Sequence, residues 1–446
     1  MENASFMKKM LMMVAIAMMT TVVLTSCEKD DDSDDWEPSL PSQRTVMVYM
    51  AAKNNLAIAA SNDISEMEEG MVEVPANSTV VLFLDKLTSN PYIAKLTNDK
   101  NTPLQILYQY DSSRYDSDPA TFREAIEKMM ELCPAKEYAL VLWGHGTGWA
   151  VTNDSVPSEP SRRAYGYDNS NGKWMNITQM VTALDGLPKM KFIFADCCNM
   201  ACAEVAYALR NRTEYLIGSP AEIPGFGAPY HLLMKELFNT SDTFYKNIVD
   251  TYYDYYANDY VLNIAERMKW PYMIDTHYSV PLAAINTAYI EALGTATHDA
   301  VSQAEGGYPM YPETPDLSGI AYYFGYDFPV MYDMRAFIHR IAPAAAIDQW
   351  ERVYKQAVPH YRMSMKWMSD CDGDRNSSGY YPNFYNLIGD FDSFDATLPY
   401  GCVSMFIPKV GDGYDQGDYC YNQRACNFEW NRLMEWNNYG WTFIQP

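Results

Sequence analysis

Positive charge is scarce in this chain: 33 Lys and Arg stand against 57 Asp and Glu over 446 residues, a formal net charge of −24. Phosphate backbones are gripped by clustered Lys and Arg, so a nucleic-acid partner is excluded. Long apolar runs are missing too. The run from Met10 to Val23 has fourteen residues, short of the roughly 20 that a membrane-spanning helix needs, and no second segment does better. Histidine is rare, with six in all, and none lies near Cys197, Cys198 and Cys202 in sequence. No partnered CxxC occurs either, which argues against a zinc site. Among the nine cysteines, Cys420 and Cys426 are spaced for a disulfide in an oxidising compartment, but the sequence alone does not decide that pairing.

The short apolar run does suit export. Lys8 and Lys9 precede it as a basic flank, and it ends in Leu24-Thr25-Ser26-Cys27, which resembles a bacterial lipobox. Cleavage before Cys27 would remove residues 1–26 and leave Cys27 acylated. The run Glu28-Lys29-Asp30-Asp31-Asp32-Ser33-Asp34-Asp35 cannot bury apolar surface and reads as a solvated tether over residues 27–42. It resembles the acidic tags that send some lipoproteins to the outer cell surface. The expectation is a protein of the cell envelope, held by its lipid at the outer membrane or cell surface.

About 400 residues remain, enough for two domains or for one large domain with an appended region. Thr45 to Met50 and Thr79 to Asp85 are short apolar, β-branched runs, as are Tyr138 to Trp143, Lys191 to Ala195 and Tyr215 to Gly218. Tyr92 to Leu96 follows an Asn-Pro break and pairs back as a hairpin. Helical spacing separates several of these runs: Asn55 to Glu69, a helix opened by Asp118-Pro119 and running to about Leu132, and Met200 to Asn211. Alternation of this kind predicts a mostly parallel α/β sheet covered by helices on both faces. Residues 43–300 are assigned to that domain. Beyond about Ala300 tyrosine, proline and glycine become frequent. Residues 301–446 are expected to form a mixed α/β region packed on the first, with helices at Val330 to Ile341 and Ile347 to Ala357 and a strand at Cys402 to Ile407.

In such sheets the loops beyond the carboxyl ends of the strands carry the chemistry. Gly144-His145-Gly146 follows one strand and Asp196-Cys197-Cys198 follows another. A cysteine nucleophile needs a base or a helix N-terminus to become a thiolate. Cys198 has both in prospect, with His145 on a neighbouring strand end and a helix starting near Met200. The glycines of Gly144 to Gly148 would let backbone N–H groups, that of Gly146 among them, approach a substrate carbonyl. A single cysteine after a strand is more often a small buried hydrophobe. The pairing of the two strand ends is what raises the catalytic reading.

Two longer segments, WGHGTGW (Trp143 to Trp149) and ADCCNMACAEVAYALR (Ala195 to Arg210), resemble the clostripain family of cysteine peptidases. The family shows a His-Gly-x-Gly-Trp element, then Asp-x-Cys-x-Met leading into a helix with Glu-Val-Ala. MVYMAAKNNL (Met47 to Leu56) looks like its opening strand, with Lys53 where an acid is usual; RAYGYD (Arg163 to Asp168), EIPGFGAPY (Glu222 to Tyr230) and GCVSMFIP (Gly401 to Pro408) are also similar. The resemblance implies a caspase-like fold, with His145 as general base and Cys198, rather than Cys197, as nucleophile. It implies cleavage of peptides after basic residues, with Asp196 binding the basic P1 side chain. Ser219-Pro220-Ala221 stand where further acids are expected, and Glu222 just beyond is the next candidate. Members can activate by cutting themselves in a loop, which implies processing after Arg162 or Arg163.

Asp370, Asp372, Asp374 and Asn376 alternate through Gly373 like the start of a calcium loop, but Tyr381 stands where an EF-hand has glutamate. A solvated acidic turn is the plainer reading, and a Ca2+ site stays open. The rival to a peptidase is a non-catalytic surface lipoprotein binding glycans or peptides, for which 36 tyrosines and 10 tryptophans would serve as stacking surfaces.

Overall fold

The computed structural model describes residues 41–111, 114–150, 165–260, 279–325, 329–364, 367, 394–411, 413–415, 420–425 and 428–441. Residues 1–40, and with them Cys27 and the acidic tether, lie outside that set. So do Arg162 and Arg163, the stretch Asp370 to Asn376 with Tyr381, and Cys426. The described residues belong to one compact unit, Pro41–Pro446.

Strand β1 is Ser42–Ala51, β2 Thr79–Lys86, β3 Ser89–Leu96, β4 Leu104–Gln109 and β5 Ala135–Trp143. A small hairpin, β6 Tyr165–Asp168 and β7 Lys173–Met175, precedes β8 Ile193–Asp196, β9 Tyr215–Gly218 and β10 Leu282–Asn286. Then come β11 Tyr322–Gly325, β12 Pro329–Asp333, β13 His360–Arg362 and β14 Ser404–Met405. Nine of them make one sheet in the order β13-β10-β9-β8-β5-β1-β2-β3-β4. Its middle, from β9 to β2, is parallel, and both flanks are extended antiparallel. The fold is therefore the helix-covered, mostly parallel sheet that the pattern predicts.

β1 shows why its sequence is an unbroken apolar run. Met47, Tyr49 and Ala51 face one core, while Val46, Val48 and Met50 face the other, as the two-residue period requires. The first core takes Phe122, Ala125, Ile126 and Met129 from the helix Pro119–Leu132, whose cap is the expected one: Asp118 accepts from the Thr121 N–H at 3.1 Å. The second core takes Ala60, Ile64 and Met67 from the helix Ala57–Gly70, Leu233 and Met234 from Tyr230–Leu237, and Ile248 and Val249 from Phe244–Asp254. Trp149, Trp350, Trp430 and Trp436 are fully buried, so these rings are core rather than stacking surface.

Three elements differ from expectation. The helix placed at Met200 begins at Ala203, because Asn199 turns left-handed (φ 61°) and Cys202 is extended. The helix placed at Val330 begins at Met334, where Asp333 caps it by accepting from the Ala336 N–H at 2.8 Å; Val330 to Tyr332 pair with β11 and β14 instead. The late strand shrinks to Ser404–Met405, and a bridge joins Ser404 to Cys202. Chain order reverses at β1, with β2 on one side and β5 on the other. Such a switch point, at the carboxyl ends of the strands, is where α/β sheets bind ligands.

Candidate active site

His145 stands two residues past the end of β5, and its loop lies directly on the backbone after β8. A Cβ added to Gly146 would stand 2.6 Å from the Cys198 carbonyl oxygen, and one on Gly148 (φ 55°) would stand 2.2 Å from that of Asn199. Only glycine permits this approach. These contacts bring the histidine loop and the cysteine segment together.

The His145 ring is partly exposed, with Trp174 at 5.9 Å, and its Nε2 is 2.8 Å from Asn55 Oδ1. An amide oxygen can only accept, so Nε2 carries the proton and Nδ1 keeps its lone pair as the basic atom. Burial pushes the imidazole pKa down to about 4. The ring is thus neutral at ordinary pH, the form a general base requires.

Cys198 sits in a segment fastened to the loop after β9. The Asn199 N–H donates to Ala221 O and the Ala201 N–H to Ser219 O, both at 2.9 Å, and Asn199 Nδ2 donates to Pro220 O at 2.9 Å. The Ile223 N–H points at the Cys198 sulfur, 3.4 Å away. Burial, and then the Glu222 carboxylate, push the thiol pKa up to about 12. The resting pair is accordingly a neutral thiol and a neutral imidazole, and the expected help from a helix N-terminus is missing because the helix starts at Ala203. Cys197 points the other way. It is fully buried in the first core, whereas Cys198 is partly exposed beside the second.

Asp196 shares the Cys198 side of the strand. Its Oδ2 accepts from the Tyr230 hydroxyl at 2.8 Å and the Ala228 N–H at 3.2 Å, and its Oδ1 from the Tyr252 hydroxyl at 3.3 Å. It caps no helix. A second carboxylate, unforeseen from the sequence, lies beside it: Asp63 Oδ2 accepts from Trp143 Nε1 at 2.6 Å. A Cβ on Gly227 would come within 2.6 Å of Asp63 Oδ2 and 3.1 Å of Asp196 Oδ2, so one small space touches both. Burial pushes both pKa values up, Asp63 further because it also feels Asp196. A sequence signal for Asp63 existed: it is an acid on the apolar stripe of Ala60, Ile64 and Met67. Glu222 is partly exposed next to Cys198. Among the described residues, no group of three or more His, Cys, Asp or Glu side chains is arranged to hold a metal ion. No described helix is long and apolar enough to cross a membrane.

A sequence profile of the clostripain family, peptidase C11, matches residues 48–306. Among solved structures, the chain is similar to a secreted C11 cysteine protease from Bacteroides thetaiotaomicron in complex with an irreversible peptide inhibitor, at 27% identity and a TM-score of 0.70, over 89% of this chain and 100% of that one. A second secreted C11 cysteine protease from the same organism, iotapain, matches at 19% identity and a TM-score of 0.67, over 89% and 100%. An inactive zymogen C11 protease from Parabacteroides distasonis matches at 23% identity and 0.66, over 89% and 99%. At those two lower identities the likeness concerns the fold. No curated protein sequence matches the chain.

Proposed function

This chain belongs to the clostripain family and is a cysteine endopeptidase of caspase-like fold, and we propose that Cys198 is its nucleophile and His145 its general base. The observation that carries this reading is the apposition of Gly146 to the Cys198 carbonyl, which holds the histidine loop against the one partly exposed cysteine of the cluster. The Cys198 sulfur attacks the scissile carbonyl carbon while His145 Nδ1 takes the thiol proton. The Gly146 N–H stabilises the oxyanion that forms. As the C–N bond breaks, the imidazolium returns the proton to the leaving amine, and a thioester remains. Water, deprotonated by His145, then adds to the thioester and releases the acid and the free thiol. Asn55 acts as a positioning residue by fixing the tautomer.

Asp196, whose charge is felt at Cys198, favours a basic P1 residue. A carboxylate closed off from water gains most from a cation, and arginine pairs with it in two-pronged fashion. Replacing Asp196 by Asn, measured on substrates differing only at P1, is expected to lower kcat/KM on arginine and lysine by about tenfold or more while neutral P1 residues lose far less. An equal fall on both, with a lower melting temperature, would leave Asp196 as a fold residue that holds Tyr230 and Tyr252, and would pass specificity to Asp63 or Glu222.

Export and anchoring belong to the same proposal. Residues 1–26 are removed, Cys27 carries the lipid, and residues 27–42 hold the catalytic residues 43–300 and the region 301–446 off the membrane of the cell envelope. Several acyl chains give firm attachment where one does not. Cys27→Ser should move the protein from the membrane to the soluble fraction. Persistence in the membrane fraction would remove the anchor. The peptidase is further proposed to nick itself after Arg162 or Arg163.

A further inference from the structure

Two buried carboxylates flank one ammonium at the switch point of the sheet, and a third is held by the backbone of the same lysine. Lys53, two residues past the end of β1, places Nζ 3.8 Å from Asp85 Oδ2 at the end of β2 and 3.9 Å from Asp168 Oδ2 at the end of β6. Its own backbone N–H donates to Asp116 Oδ2 at 3.0 Å, and Nζ donates to the Arg114 carbonyl at 2.5 Å, with the Tyr115 ring at 5.3 Å. Asp85, Asp116 and Asp168 are all fully buried, and Lys53 is 4% exposed. Asp116 Oδ1 and Asp168 Oδ2 have no hydrogen-bond donor, and Asp85 draws only on Lys53 and the Lys86 backbone. Buried carboxylates are ordinarily saturated with donors, and carboxylates gathered without them call for a cation at their centre.

The cluster reaches the reaction through its neighbours. The Lys53 carbonyl accepts from the Asn169 N–H at 3.0 Å, so residue 53 is tied to the end of β6 by backbone as well as by charge. The Gly166 N–H in β6 donates to the His145 carbonyl at 2.9 Å. On the other side, Asn54 Nδ2 donates to Ala51 O and Tyr167 O, and Asn55 meets the His145 ring. Both walls of the His145 loop are therefore joined at Lys53. Burial pushes Asp85 up to about 7 and Asp116 up as well, and Lys53 opposes both shifts.

We propose that the Lys53 ammonium is a built-in counter-ion for the Asp85 and Asp168 carboxylates, with Asp116 held on the backbone of the same residue, and so positions Asn55 and His145. The role rests on the reading of His145 as the base. Lys53 touches no reacting atom and is a positioning residue.

The test uses the purified mature protein. Lys53→Ala leaves Asp85 and Asp168 without their cation, and kcat should fall by about tenfold or more with KM within about twofold. Lys53→Met fills the space without a charge, and adding Asp85→Asn to it should raise its melting temperature by removing an uncompensated charge. Unchanged kcat in Lys53→Ala would overturn the proposal. So would a double variant no more stable than Lys53→Met; this comparison decides the matter if Lys53→Ala does not fold. Failure of the catalytic reading is separate, since it would appear as peptide cleavage by Cys198→Ala.

Discussion

Cys198→Ala is expected to lower peptide turnover by about 10⁴-fold, and His145→Ala by nearly as much, because nucleophile and base act as a unit and removing either disables the step. The resting state makes the dependence on His145 severe. With the thiol pushed up to about 12, almost no thiolate exists near neutral pH, so the proton must pass to Nδ1 as the sulfur attacks. Cys197→Ala should keep most of the activity, since that side chain is sealed in the opposite core. Iodoacetamide labelling concentrated on Cys197 in the wild type would overturn the assignment. The proposed nick after Arg162 or Arg163 should disappear in Cys198→Ala; a nick appearing equally in that variant would mean another protease makes it.

Gly148→Ala should cost both fold and activity. A single methyl there meets the Asn199 carbonyl at 2.2 Å, with Cys202 Sγ at 3.3 Å, on a backbone already left-handed. The strain and the overlap together are worth about 3 kcal/mol. Relief would require the His145 loop to move off the Cys198 segment, so kcat should fall with the melting temperature. Gly172→Ala is the control: it shares the left-handed backbone (φ 67°) but meets nothing within 4 Å, and should cost about 1 kcal/mol. If the two variants melt alike, packing of the loop on Asn199 is not what holds the site.

The parts of the molecule legible in the sequence are those that local pattern controls. The unbroken apolar run of β1 announces burial on both faces, Asp118-Pro119 announces a helix start, and the strand-end segment around His145 carries its glycines with it. What escaped is non-local. β10 and β13 extend the sheet antiparallel from far along the chain, and LAAIN and HYR are too short to show a period. Exposed β4 offers no core face to betray it. The meeting of Lys53 with Asp85, Asp116 and Asp168 depends on which strand ends lie side by side, and spacing along the chain does not encode that. The late start of the helix at Ala203 follows from backbone bonds to residues 219–221, which compete with the helix for the same groups.

Those bonds are one side of a longer span. The Ser404 N–H donates to Ala201 O at 3.1 Å, the Phe406 N–H donates to the buried Glu204 carboxylate at 2.8 Å, and Trp149 packs edge-on against Phe406 at 5.1 Å. The helix that follows Cys198, and the end of the His145 loop, are thus closed by residues some two hundred positions downstream. Contacts of such sequence separation form slowly and late. During synthesis, Cys198 and His145 emerge long before the segment that completes their surroundings.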